Sequence, residues 1–437
     1  MIRINDLQEK LLHLIGWQQY YDTSVLSISE SLTQSESGMY FQQSHPLITL
    51  DNLSSIAPDF KNITYPEYSS KIEYKKGNIV SYNGYSYKAL RDCINKEITN
   101  GDYWIITSPF SEWLENKTKA SIQKAVTRFI NEKMVKGATK ILFENKTLFD
   151  GTGRIVDVIK NKKNLVGFEI IPVRSKGVTT KINKIGLQFT KPGEYTIYIM
   201  HSSNIAPIYT LKLNKIKNNS IEWFNLNDIY LPYESLNNDA GGSWYICYLQ
   251  SNIPEGSQAI RKNKDWSKEP CRACSRSEYE SWKVWSKYLE VHPFYINEEF
   301  INNEYDGEQS VYMWDIEKNQ YTYDTNYGIN LEISIGCDIT DFIINQRNLF
   351  QDIILKQLAV DMLREFAYNA NIRTNRHSLN ASRVDILYEI DGDSSSMKKS
   401  GLGYQLDRAY KAIELGTEGL DRICMPCVNN GIKYRSI

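Results

Sequence analysis

Apolar positions along this chain change period several times, and each change predicts an element. Leu7, Leu11, Leu12, Leu14 and Ile15 lie on one amphipathic stretch and predict a short helix. An irregular arm rich in Ser, Gln and Asn follows to residue 60, punctuated by Pro46 and Pro58. Across residues 74–90 the pattern becomes that of two short strands around Asn83-Gly84, the dipeptide a type I′ hairpin prefers because both central residues need positive φ. Alternation puts Tyr85 and Tyr87 on one face, and Trp104 closes the unit. Ile122, Ala125, Val126, Phe129 and Ile130 then repeat at three and four, predicting a helix over 111–136 with Ser111 as cap and Gly137 as stop.

The middle of the chain reads as strands. Segments at 168–171, 186–189, 194–199, 209–213 and 244–249 alternate or run apolar between Gly, Pro and Asn-Asn turns, as in an antiparallel sandwich. Residues 251–335 look irregular and carry Trp266, Trp282, Trp285 and Trp314. Ile343, Phe350, Ile354, Leu358 and Met362 predict a long helix over 339–370 with Thr340 as cap, followed by helices near 402–414 and 417–422. The expected fold is α+β and multidomain: a β-sandwich core, a small all-β inserted module and a helical C-terminal region. Its expected segments are an N-terminal helix and arm (1–64), the aromatic module (65–110), a connecting helix (111–137), a β-sandwich with a Trp-rich extension (138–335) and the C-terminal helices (336–437).

The chain's 437 residues suit about three domains, and 41% hydrophobic with 24% charged residues is an ordinary globular balance. No apolar run reaches membrane-spanning length, so membrane insertion is not expected. The first turns carry charges and lack a cleavage-site pattern, so the protein is expected to fold in a cytoplasm. Net charge is −1, but its distribution is uneven. Residues 117–191 hold 17 Lys/Arg against 5 Asp/Glu, net +12, and residues 289–341 hold 1 Lys against 12 Asp/Glu, net −11. Three readings stay open: two solvated surfaces, a head-to-tail subunit contact with Lys160, Lys162 and Lys163 on its basic side, or a basic face toward DNA.

Candidate chemistry is sparse. Cys271 and Cys274 frame one Cys-x-x-Cys turn, Cys424 and Cys427 another. Two such turns can complete a tetrahedral structural zinc site, although residues 275–423 lie between them. Buried free thiols, a redox pair and a disulfide compete with zinc; neither pair is predicted to open a helix after a strand, and a reducing compartment disfavours disulfides. The five histidines are scattered, and no nucleophile elbow, phosphate loop or dinucleotide fingerprint occurs, so no catalytic residue is assigned and an enzyme is not expected. Asp391-Gly-Asp393 lacks the closing Glu of a calcium loop and reads as a polar loop. Tyr82, Tyr85, Tyr87, Tyr103 and Trp104 offer flat faces on which a sugar could stack; equally, they could be the core of a domain too small to have another.

Tyr74, Lys76, Gly77, Asn78, Val80, Tyr82, Asn83, Gly84, Tyr87, Ala89 and Trp104 match an aromatic, then Lys-Gly-(Asp/Asn)-x-Val-x-Tyr-Asn-Gly-x-x-Tyr-x-Ala, then a later Trp. By this motif, residues 74–104 resemble the chitin-binding-type modules of secreted chitinases, over about a tenth of the chain. The resemblance implies a carbohydrate-binding fold. Phage tail and baseplate proteins carry similar modules, and the continuation through Ser108 and Trp113 looks like that setting. Residues 270–276, Trp282, residues 285–294 and residues 421–427 resemble virion proteins of crAss-like and related phages of Bacteroidota. That resemblance implies a ring or collar subunit of the virion tail, made in the host bacterial cytoplasm. It would assemble with itself, around a twelve-fold portal, and meet portal, other tail proteins and packaged DNA. A glycan- or receptor-binding tail protein using the 65–110 module is the alternative.

Overall fold

The computed structural model describes residues 2–18, 32–60, 62–134, 140–149, 157–172, 177–203, 207–232, 242–262, 264–306, 309–314, 316–368, 376–392, 400–415 and 424. Helix and strand occur in nearly equal shares, 33% and 32%, over several sheets, so the chain is neither all-α nor all-β. It divides into two compact units. A helical unit comprises Arg3–Met134 and Phe342–Gly416; a sheet unit comprises Met1–Ile2, Val135–Asp341 and Thr417–Ile437. The division is not the consecutive series of segments expected from sequence. The N-terminal helix, the aromatic module and the connecting helix share a unit with the C-terminal helices, because the apolar faces of these helices cover one another.

In the helical unit, α1 (Ile4–Leu12) buries Leu7, Leu11 and Leu12 and packs against the connecting helix. Helix α2 (Leu50–Ile56) starts at Thr49, whose hydroxyl accepts from the Asn52 N–H. The aromatic region follows as two small sheets. Strand β1 (Glu73–Tyr74) pairs with β4 (Cys93–Ile94), while β2 (Ile79–Tyr82), β3 (Tyr85–Ala89) and β5 (Trp104–Thr107) form an antiparallel sheet in the order β2-β3-β5. Asn83 and Gly84 both have positive φ, 49° and 82°, as the type I′ hairpin requires. Helix α3 (Pro109–Lys133) begins two residues before the expected start. Ser108, not Ser111, is its cap: the Ser108 hydroxyl accepts the Ser111 N–H at 3.1 Å, and Pro109 occupies a first-turn position that needs no N–H donor. The expected stop, Gly137, lies outside the described residues. Lys88 of β3 ties the small sheet to α3 through Glu112 (3.0 Å) and Glu115 (2.9 Å).

The sheet unit contains β6 (Ile141–Thr147), β7 (Asp157–Ile159), β8 (Leu165–Pro172), β9 (Val178–Leu187), β10 (Gly193–His201), β11 (Tyr209–Lys215), β12 (Glu222–Pro232), β13 (Trp244–Leu249) and β14 (Ala259–Arg261). It continues with α4 (Arg276–Trp285), β15 (Leu289–Ile296), β16 (Ile301–Asp306), β17 (Gln309–Trp314), β18 (Gln320–Tyr321) and β19 (Ile329–Cys337). One antiparallel sheet has the order β11-β10-β13-β8-β15-β18, the other β12-β9-β19-β6. The sheets share one core, with Val166, Phe168, Ile170, Ile197, Ile246 and Tyr248 from the first and Ile182, Leu187, Leu231, Ile329, Leu331 and Ile333 from the second. A further cluster takes Leu165, Tyr245, Cys247, Phe294 and Ile296, the alternate positions of the same strands. Burial on both faces explains why β8 and β13 read as apolar runs rather than alternating strands. Gly167 lies where β8 passes close to β13; a Cβ there would collide with the Ile246 carbonyl and the Cys247 backbone.

Residues 251–335 are more regular than their sequence suggests. Strand β15 pairs with β8 along its whole length despite Pro293, which sits opposite Phe168. The Pro293 carbonyl accepts the Thr322 N–H on the β18 side. The N and C=O of one strand residue point the same way, so the missing proline N–H removes no bond to β8.

The expected 339–370 helix is broken into α5 (Thr340–Asn345), a 3₁₀ turn (Arg347–Phe350) and α6 (Gln351–Tyr368). Thr340 is the first helical residue of α5, not its cap, and its N–H is accepted by Asp338. Helix α6 packs against α3, α7 (Arg376–Asp391) and α8 (Leu402–Ala412). It buries Ile353, Ile354, Leu358, Met362, Leu363 and Phe366, more than one stripe, because neighbours surround it. Of the expected polar loop, Asp391 and Gly392 are described and Asp393 is not; the expected 417–422 helix also falls outside the described residues.

Candidate functional site

The aromatic hairpin splits its rings between two roles. Trp104 is 3% exposed and belongs to the small core with Tyr74, Val80, Ala89, Cys93 and Ile98. Its ring meets Tyr74 edge-on at 5.2 Å and Tyr68 at 5.6 Å. Trp104 is therefore a core residue, which corrects its candidacy as a stacking platform. Tyr87 is half-buried against that core. Tyr103 carries the Arg91 guanidinium and the Lys96 ammonium over its ring, at 5.0 and 5.2 Å. Tyr82 and Tyr85, cross-strand partners at the hairpin tip, are 37% and 54% exposed. Of the five candidates, these two present the most ring surface to solvent.

Part of the charge asymmetry is consumed inside the chain. Within the helical unit, Lys117 pairs with Glu365, Lys119 with Glu115 and Lys124 with Asp361. Within the sheet unit, Lys184 of the basic stretch pairs at 3.0 Å with Glu332 of the acidic stretch, on adjacent strands. Lys160, Lys162 and Lys163 remain exposed, and no ion pair joins them to a described residue. Their loop is held from beneath by Gln250, whose side-chain oxygen accepts the Lys162 and Asn164 N–H groups at 3.0 and 3.2 Å. Lys160 and Lys162 border a cleft of about 380 Å³ with mixed polar and apolar lining, together with the Arg261–Asp324 pair. Leu165 pairs with Ile296, so this loop and the exposed Glu298 and Glu299 leave the sheet at the same end. The two clusters are neighbours rather than opposed faces.

The cysteines pair differently from the expected tetrathiolate set. Cys271 is bonded to Cys274, and Cys424 is bonded to Cys337, at a Cα–Cα separation of 5.4 Å. Cys427 lies outside the described residues, and no group of His, Cys, Asp or Glu suited to a metal occurs among the described residues. A tetrathiolate zinc site needs four free sulfurs converging on one point, and here the three described ones, of Cys271, Cys274 and Cys424, are committed in disulfides. The residues present do not fit the zinc site. Nothing local singled out Cys337; only the fold brings it to Cys424.

The Trp-rich stretch surrounds a buried lysine. The Lys264 ammonium lies 4.3 Å from the Trp266 ring centre and 5.6 Å from that of Trp285, and contacts Glu278 of α4 at 3.2 Å and the Leu148 carbonyl at 3.1 Å. Burial pushes its pKa down to about 8, against the opposing pull of the Glu278 carboxylate. The cage holds α4 on the core; Trp285 is buried and the Ser281 hydroxyl donates to the Thr147 carbonyl at 2.6 Å. Of the histidines, His201 is buried, with burial holding its pKa low; His45 contacts Glu389 and His292 contacts Glu290. No helix among the described residues is long and apolar enough to cross a membrane. Comparison with protein-family models, with curated proteins and with solved structures finds no match to this chain.

Proposed function

We propose that this chain is a structural component of a tailed-phage virion, a ring, collar or adaptor subunit joining portal to tail. Its two packed sheets serve as a sandwich core, and the small aromatic sheets as an inserted module. The observation that carries the reading is the hairpin motif of residues 74–104 running directly into the 25-residue helix α3, the setting that the phage resemblance implies. The supported loop with Lys160, Lys162 and Lys163 favours self-association through a charged end. Because Glu298 and Glu299 leave the sheet at that same end, a composite charged end meeting a neighbour replaces two opposed patches.

Electron microscopy and sedimentation of the full chain test this. Closed rings are expected at low salt, weakening as salt screens the contact over a Debye length of about 10 Å at 0.1 M. Joint substitution of Lys160, Lys162 and Lys163 by Glu should reduce the ring fraction at low salt. A chain that stays monomeric at every salt and protein concentration overturns the ring reading.

The exposed Tyr82–Tyr85 tip favours a second reading, a glycan-binding tail protein. Retention on a chitin or capsular-polysaccharide gel is expected to drop about fivefold in Tyr85→Ala, in line with the loss of one aromatic contact of about 1 kcal/mol. No retention of the unsubstituted chain on either gel removes this reading.

A further inference from the structure

The two disulfides occupy opposite environments. Cys337 and Cys424 are fully buried, whereas Cys271, Arg272, Ala273 and Cys274 are all exposed. The exposed turn leads straight into α4, which begins at Arg276 after its cap Ser275. The pair thus precedes a helix, but turns and loop over residues 264–270 rather than a strand lead into it, so the expectation that neither pair opens a helix after a strand stands for this one. The Cys274 N–H donates to Cys271 Sγ at 3.2 Å, and the Ser275 hydroxyl accepts the Glu278 N–H. Arg272 lies between the two cysteines, with its guanidinium over the Tyr279 ring at 5.7 Å, and Arg276 follows two residues after Cys274. The only carboxylate in the first turn of α4, Glu278, is directed to Lys264 and Lys262. The platform is rigid, through buried Trp285 and the Ser281–Thr147 bond.

We propose that Cys271 and Cys274 form a thiol–disulfide exchange site for small thiols and disulfides, chemically separate from the structural Cys337–Cys424 bond. A thiolate is stabilised by a backbone N–H, by nearby cations and by a helix N-terminus; the Cys274 N–H reaches Cys271 Sγ, Arg272 and Arg276 are close in sequence, and α4 begins two residues after Cys274. In the reduced protein the Cys271 thiolate attacks one sulfur of an external disulfide, and the displaced thiolate takes a proton from solvent. Cys274, deprotonated, then attacks Cys271 Sγ and displaces the second thiol. The external disulfide is reduced by two electrons, and the Cys271–Cys274 bond forms. The same steps in reverse, driven by two external thiols, open it. The buried bond is closed to this chemistry because an attacking thiolate must approach in line with the S–S bond.

The test uses the full chain in glutathione redox buffers, with quenching, differential alkylation and mass spectrometry. Cys271 and Cys274 are expected to open in the folded protein at least about tenfold faster than Cys337 and Cys424, which stay bonded until urea unfolds the chain. Cys274→Ser should trap glutathione on Cys271. Alkylation of Cys271 in the reduced protein should reach half its maximal rate below about pH 8.5, the value for a free cysteine, and Arg272→Gln with Arg276→Gln should raise that midpoint. Equal opening rates for the two bonds overturn the proposal. So does a Cys274→Ser chain that takes up no glutathione, or an alkylation midpoint at or above that of free cysteine.

Discussion

Cys424→Ser is expected to lower the stability of the sheet unit by up to about 4.6 kcal/mol, the chain-entropy value for cutting a loop of this size. The bond joins positions 87 residues apart, from the end of β19 to the C-terminal segment, so it restricts the unfolded chain strongly. Urea unfolding without reductant measures it. Cys337→Ser should match Cys424→Ser, and the double variant should lose nothing more, because both remove the same cross-link. A chelator should leave the unsubstituted midpoint unchanged, which separates the disulfide from the zinc set that the Cys-x-x-Cys spacing suggested. A loss under about 1 kcal/mol for all three variants would show that no such cross-link restricts the unfolded chain.

Phe168→Ala is expected to cost about 3–5 kcal/mol, the range for removing a fully buried aromatic ring from a packed core. Phe168 is fully buried on β8, between β13 and β15, and its ring lies 5.0 Å from that of Trp266. The deletion opens a cavity between the two sheets and removes the partner of a Trp in the Lys264 cage. Tryptophan emission should therefore shift along with the urea midpoint. Tyr323→Ala, at a 52% exposed position, is the control and should stay within about 0.5 kcal/mol. Equal losses at the two positions would mean that Phe168 is not in the core.

Short-range signals are legible in the sequence. Asn83-Gly84 places the hairpin because the type I′ turn demands positive φ at both positions, and the structure has it. The three-and-four repeat ending in Phe129 and Ile130 places α3, although the cap moved from Ser111 to Ser108. Strand β15 was missed because Pro293 reads as a breaker, and only the neighbouring strands reveal that its missing N–H faces away from β8. Helix α4 carries Tyr279, Trp282 and Trp285 at every third position, but its ten residues are short and mostly polar, and only the contact of Glu278 with Lys264 and the burial of Trp285 fix it on the core. Among the candidate sugar-stacking rings, Trp104 belongs to the core while Tyr85 is exposed; the motif specifies Trp104, leaves Tyr85 at a free position and carries no information on burial.

Sequence by itself determined the local geometry of this protein: a type I′ hairpin, amphipathic helices, and strands whose apolar runs mark burial on both faces. These depend on periodicities of a few residues and on the φ preferences of Asn, Gly and Pro. Tertiary structure alone decided which distant residues meet. It joined Cys424 to Cys337 rather than to the Cys271–Cys274 turn, set Lys184 against Glu332, and brought the loop of Lys160, Lys162 and Lys163 to the same sheet end as Glu298 and Glu299. The physical reason is that disulfides, ion pairs and charged surfaces depend on distances in space, which long loops leave undetermined until the core closes.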